Sequence, residues 1–166
     1  MPHQSEWDEN AKNVIILLKK LLKDIAIDIQ HIGSTAIFSI CAKPIIDIVV
    51  GVQNVDSIMT YVELLKQYHI LFHGEVISGQ KFFVIENKEM RSHHIHIVKW
   101  NGTDWNNYLD FRDYLNANLQ KAIIYNDLKQ KLAKQFSKDR KSYTSNKQKM
   151  IQQLLEEARV WKEKLR

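Results

Sequence analysis

Apolar residues along the first third of the chain change their spacing twice. Val14, Ile15, Leu17, Leu18, Leu21, Leu22 and Ile25 recur at helical intervals. They follow Ser5-x-x-Asp8, which reads as a helix start with an acid near the positive end of the dipole. Over 25–32 the period drops to two: Ile27, Ile29 and His31 alternate with Asp28 and Gln30, as in a strand. Residues 45–52 are apolar on both faces apart from Asp47, the pattern of a central strand. Asn54-Val-Asp-Ser caps a predicted helix to about Tyr68, with Ile58, Met59, Val62, Leu64 and Leu65 facing inward. Three strands are predicted next, over 69–77, 80–86 and 91–100, separated by Ser78-Gly79 and by Asn87-Lys88-Glu89. From Thr103 the period stays helical, giving helices over about 104–117, 121–136 and 141–165.

No Pro/Gly/Ser-rich linker, internal repeat or low-complexity tract divides the chain, so residues 1–166 are expected to form one unit. Its predicted class is α+β, a small mixed sheet of about five strands with helices on one side. A core over 1–100 carries the sheet, and a helical extension over 101–166 closes over it.

Charge sharpens this division. Residues 1–100 hold 10 Lys/Arg and 11 Asp/Glu, net −1, whereas 101–166 hold 14 and 8, net +6. All seven His lie in the first part. The positive field therefore belongs to the helices and would draw an anion toward whatever they cover. Nucleic acid is a weaker expectation, because scattered Lys on helices more often forms a solvated face. No apolar run nears the ~20 residues of a membrane span, so no membrane partner is expected. The first residues lack the basic and apolar regions of a secretory signal, and the single Cys41 has no internal disulfide partner. Both point to a cytoplasmic chain.

One stretch, residues 31–51, carries most of the chemistry. Gly33 admits a ligand close to the backbone, and Ser34 and Thr35 offer hydroxyls and N–H groups where a phosphate could sit. Asp47, inside an Ile/Val strand, is costly unless paired, hydrogen-bonded or metal-bound. His31-Ile-Gly-Ser-Thr and Ala42-Lys-Pro-Ile-Ile-Asp-Ile resemble, residue for residue, the signature of the GrpB family. Gln30 and Phe38-Ser39 depart from it, where the family usually has Glu and Pro-Gly. The resemblance continues through Gly79-Gln-Lys-Phe-Phe, Ser92-His-His-Ile-His-Ile, Phe111-Arg-Asp-Tyr-Leu, Tyr125…Lys129 and Tyr143…Lys147. It implies a nucleotidyltransferase-like fold. In active members of that superfamily, a D-x-D pair holds metal against a triphosphate. Here the second position is Val49, and one carboxylate is a poor holder for two hard cations.

His94 and His96, two apart on a strand, share a face. With Asp47 they would form an N, N, O set suited to Zn²⁺, Mn²⁺ or Fe²⁺ rather than Mg²⁺, the metal that the superfamily resemblance implies at Asp47. The alternative is that the imidazoles hydrogen-bond across the sheet. His93 points the other way, and His31 is placed to reach the same pocket or to pack. Lys147 interrupts an apolar stripe of Tyr143, Met150, Leu154, Ala158, Trp161 and Leu165, and Arg112 falls between Trp105, Tyr108 and Leu115. Such cations snorkel, pair with an acid such as Asp113 or Asp127, or meet an anion. In the last case Arg112, Lys129, Tyr143 and Lys147, with Lys43 ahead of the second strand, would clamp phosphate.

P-loop and dinucleotide-binding glycine patterns are absent, as are C-x-x-C and G-x-S-x-G. The expected function is binding of a nucleotide or other phosphorylated small molecule. Nucleotidyl transfer would use Asp47 and Ser34 as catalytic groups. The alternatives are a non-catalytic nucleotide or metabolite sensor, or an RNA-binding protein using the basic helices.

Overall fold

The computed structural model describes residues 1–87 and 90–165. The elements run α1 (Ser5–Leu21), β1 (Ala26–Ile32), a 3₁₀ turn (Ser34–Ala36), β2 (Ile46–Val52), a 3₁₀ segment (Val55–Tyr61) continuing into α2 (Val62–Gln67), β3 (Ile70–Phe72), β4 (Lys81–Asn87), β5 (Met90–Lys99), α3 (Thr103–Ala117), α4 (Leu119–Gln135) and α5 (Arg140–Lys164). The expected turn at Lys88-Glu89 lies outside the described residues.

The five strands form one mixed sheet in the order β1-β2-β5-β4-β3. β2 and β5 are parallel neighbours at its centre, and the other pairs are antiparallel. This parallel pairing sets Asp47 beside His94 and Val49 beside His96. Residues on β2 and β5 separated by more than 40 positions in sequence are thereby brought together.

Because strand side chains alternate, β2 buries two separate sets. Ile46, Ile48, Val50 and Val52 face α1 and the 55–67 segment, packing with Trp7, Ala11, Leu18, Leu22, Ile58 and Leu65. Val49 faces the other way and packs with Ile32, Val98 and Trp105 under α3. A third cluster joins Ile37 and Ile40 of the β1–β2 connection to Tyr114, Leu115, Ala122, Tyr125, Leu154 and Ala158 of the three C-terminal helices. Helices thus cover both faces of the sheet, and the C-terminal set forms a layer of its own.

Two expectations required correction. The helix foreseen from Asn54 starts as a 3₁₀ segment, capped by Asn54 Oδ1 accepting from the Asp56 N–H at 3.0 Å. Three residues per turn align Val55, Ile58 and Tyr61 on the core and leave Met59 exposed. The strand foreseen over 69–77 covers only Ile70–Phe72. Backbone pairing with Phe82 continues as far as Gly74, where a φ of 86° turns the chain away and leaves Val76 and Ile77 in solvent.

Candidate functional site

Gly33 follows β1 with φ 75°, a conformation open to glycine. Its backbone crosses directly over the Asp47 carboxylate. A Cβ at this position would lie 2.6 Å from Asp47 Oδ2, so a side chain is excluded on both grounds. The 3₁₀ turn beyond it leaves Ser34 half-buried and sends Thr35 inward. Thr35 Oγ1 meets His31 Nε2 at 2.9 Å. His31 Nδ1 lies 3.7 Å from Asp8 Oδ1, and Asp8 Oδ2 meets His3 Nε2 at 3.0 Å. Burial pushes His31 down to about 4, outweighing the attraction of Asp8 and Asp47, so the imidazole is neutral at neutral pH.

The connection from the turn to β2 makes most of its polar contacts with helices. Asn116 of α3 donates to the Ala36 carbonyl and accepts from the Phe38 N–H, each at 3.0 Å. Asn126 Oδ1 of α4 accepts from the Cys41 N–H at 3.0 Å, and Lys129 Nζ, one turn along, donates to the Cys41 carbonyl at 2.9 Å. One helix face therefore holds both ends of a single residue's backbone.

Asp47 Oδ1 is bracketed by His96 Nε2 at 3.3 Å and His94 Nδ1 at 3.5 Å. Burial works against its charge, but the hydrogen bonds and charges of both imidazoles outweigh burial and hold the carboxyl below the usual range. Phe82 lies 5.1 Å from the His94 ring and 5.3 Å from that of His96, ring centre to ring centre. Tyr108 covers His96 from the other side at 5.4 Å and donates to buried Gln80 Oε1 at 3.2 Å.

Opposite Asp47 stand the cations. Lys129 Nζ reaches Ser34 Oγ at 3.4 Å and lies 5.5 Å from the centre of the Tyr125 ring. Burial, reinforced by Lys147 and Lys43, pushes its ammonium down to about 8. Lys147 lies 5.8 Å from the centre of the Tyr143 ring. It too is lowered by burial and by Lys43, while Asp47 pulls the other way. These groups line an open cleft of about 530 Å³ that brings together Ser34, Lys43, Asp47, His94, Lys129, Tyr143 and Lys147. Gly33 contributes through Asp47, and His96 supports Asp47 from behind.

Two expected phosphate contacts point elsewhere. Thr35 is 1% exposed and committed to His31. Arg112 takes the ion-pair alternative: Nε donates to Asp113 Oδ1 at 2.8 Å, and Nη1 donates to Gln30 Oε1 and the His31 carbonyl at 3.0 and 2.9 Å. It fastens α3 to β1. His93, as expected, turns to the opposite face, with Nδ1 2.8 Å from Ser92 Oγ. The residues that sequence reasoning left out of the site are Asn116, Asn126 and Tyr125, whose ring lies against Lys129 Nζ. The only sequence trace of the asparagines is their position beside buried helix residues, Leu115 and Tyr125.

A pair of divalent cations does not fit this donor set. Val49, at the place of a second acid, is fully buried among apolar side chains. Asp47, His94 and His96 do converge, but as a hydrogen-bonded group around one oxygen. Among the described residues, no group of three His, Cys, Asp or Glu has the arrangement to hold a metal ion.

The profile of the GrpB family, described as GrpB protein, matches residues 1–157. Glutamate-rich protein GrpB of Alkalihalophilus pseudofirmus is 36% identical over 162 residues, covering 93% of this chain and 92% of that protein. YqkA of Bacillus subtilis is 32% identical over 161 residues, covering 96% of this chain and 47% of YqkA, so the chain spans about half of that relative. Among solved structures, conserved protein GrpB from Enterococcus faecalis superposes with a TM-score of 0.82 at 28% identity, covering 95% of this chain and 97% of that one. The Cid1 poly(U) polymerase superposes with a TM-score of 0.57 at 15% identity, over 80% of this chain and 44% of that one. That likeness is one of fold alone, and the fold is nucleotidyltransferase-like. With the signature residues around Gly33 and Asp47 matched and the family profile spanning nearly its whole length, the chain belongs to the GrpB family.

Proposed function

We propose that the chain binds the phosphate groups of a nucleotide, or of another phosphorylated small molecule, in the cleft between the start of β2 and helices α4 and α5. One observation carries this reading. Lys129 and Lys147 are both partly desolvated in one cleft, and among the described residues neither has a carboxylate within 4.0 Å. Ammonium groups held together away from bulk water raise each other's energy, and a shared anion relieves it. Ser34 adds a hydroxyl, Tyr143 an aromatic wall and Lys43 a third cation at the mouth.

The test is a thermal-shift series of nucleoside mono-, di- and triphosphates and pyrophosphate against the bare nucleosides. A phosphate-dependent rise in melting temperature that disappears in Lys147→Met is expected. No rise with any phosphorylated compound would end the reading. Group transfer is a second reading, favoured by Asp47 at the foot of the same cleft. It requires release of pyrophosphate from a triphosphate, which a sensing module would bind without cleaving.

A further inference from the structure

We infer that this cleft neutralises its ligand with lysine in place of a divalent metal, so that it takes up the phosphate end of a small molecule free of Mg²⁺. The inference rests on the phosphate-binding reading above and adds the charge state of the ligand.

The acid that would receive a metal is already occupied. Asp47 Oδ1 carries both imidazoles, at 3.3 and 3.5 Å, and Oδ2 lies under the Gly33 backbone. The remaining nitrogen of His94, Nε2, is buried without a partner beside Phe82 and is not presented to an incoming ion. Beside the ligand's own phosphates a pair of hard cations draws on more than one carboxylate, and the buried Val49 supplies no second one.

Positive charge comes instead from three side chains. Lys129 is aimed by two contacts, the Cys41 carbonyl at 2.9 Å and Ser34 Oγ at 3.4 Å. Lys147 is steadied by the Tyr143 ring, and Asp47 opposes the burial that lowers its pKa. Lys43 completes the set from the start of the β2 approach, close enough to act on both. A phosphomonoester brings about two negative charges. Three cations set against the Asp47 carboxylate leave a net of about two positive charges, which a metal-free phosphate end matches. Mg²⁺ bound to that end would cancel the charge that the lysines meet and add a cation beside them.

The experiment is calorimetric titration of the full chain, stripped with EDTA, with inorganic pyrophosphate and with ATP, repeated in excess Mg²⁺. Binding in EDTA that weakens several-fold in Mg²⁺ is the expected result. Lys147→Met should weaken pyrophosphate binding about tenfold or more while the melting temperature stays level or rises, because a desolvated ammonium with no carboxylate partner is removed. Lys129→Met should weaken binding similarly and lower the melting temperature, because the Cys41 carbonyl loses its donor. Binding that needs Mg²⁺, or is strengthened by it, overturns the inference and leaves the phosphate reading standing. No binding of either probe, with or without Mg²⁺, overturns the inference, and the phosphate reading then falls only if the thermal-shift series is also flat. The Mg²⁺ comparison uses the unaltered chain, so it decides the matter even where a variant fails to fold.

Discussion

His31 shows how a residue of the signature stretch can serve the site without touching a ligand. Its imidazole lies under the 33–35 turn, against Thr35 on one nitrogen and near Asp8 on the other. With the folded value at about 4 and the ordinary value at 6.5, the unfolded chain takes up a proton in that interval which the folded chain refuses. Stability is therefore full above pH 6.5 and falls as the pH drops toward 4, by something on the order of 2–3 kcal/mol from this group. Urea midpoints measured from pH 7 to 4 should fall with a slope that flattens in His31→Gln. An equal slope in the variant would assign the loss to another group. In the sequence, Asp47 and Lys147 stand out as charged residues in apolar patterns and Gly33 and Ser34 as an anion-binding turn, whereas Lys129 is singled out by the family motif Tyr125…Lys129 alone. Sequence reasoning set Thr35 on phosphate, whereas Thr35 turns onto His31. For Arg112 it left open the ion pair with Asp113 that the structure adopts, and what it lacked was the reach to Gln30 and the His31 carbonyl, more than 80 residues away. Periodicity names a face, not the neighbour that the face will meet.

Among the elements, the irregular β1–β2 connection depends most on the rest of the fold. Its backbone groups find partners in Asn116 and Asn126, on helices separated from it by at least 78 residues in sequence. An asparagine on a helix ordinarily reads as solvent-facing, so nothing local marked these two. Replacing Asn126 with Ala strands the Cys41 N–H, a loss of about 1–3 kcal/mol for a buried donor. It also releases the backbone that aims Lys129. Asn126→Ala should accordingly lower the melting temperature and weaken pyrophosphate binding together, read by thermal melt and calorimetry on one preparation. Retained affinity at reduced stability would separate the connection from the cleft. The short β3 and the 3₁₀ start before α2 escaped sequence reading for a different reason. Apolar residues at 76, 77 and 59 suggested burial, and backbone geometry at Gly74 and in the tight turns turned them outward.

At the scale of the molecule, the two halves seen in the charge distribution are not independent. The outward face of β2 and β5 is closed by Trp105, and Ile37 and Ile40 are buried only against α3, α4 and α5. A fragment of residues 1–100 would expose both clusters, and it should appear insoluble or as a loose, dye-binding state without near-UV dichroism. A cooperative unfolding transition from that fragment would show the sheet to be self-sufficient. The basic half is also less free than its net charge of +6 suggests. Lys121 pairs with Glu157 at 3.3 Å, Lys162 with Asp113 at 3.2 Å and Arg159 with Glu156 at 2.6 Å. These pairs answer part of the charge on the outside, while Lys129 and Lys147 lean into the cleft.

The floor of that cleft comes from residues 34–47 and its roof from 129–147, and the contacts of Lys129 with Ser34 and Cys41 span the gap. An anion lodged there would act as a keystone, touching both layers and pressing on neither the sheet nor the helices alone. Occupancy and the grip between the two layers would then rise and fall as one quantity.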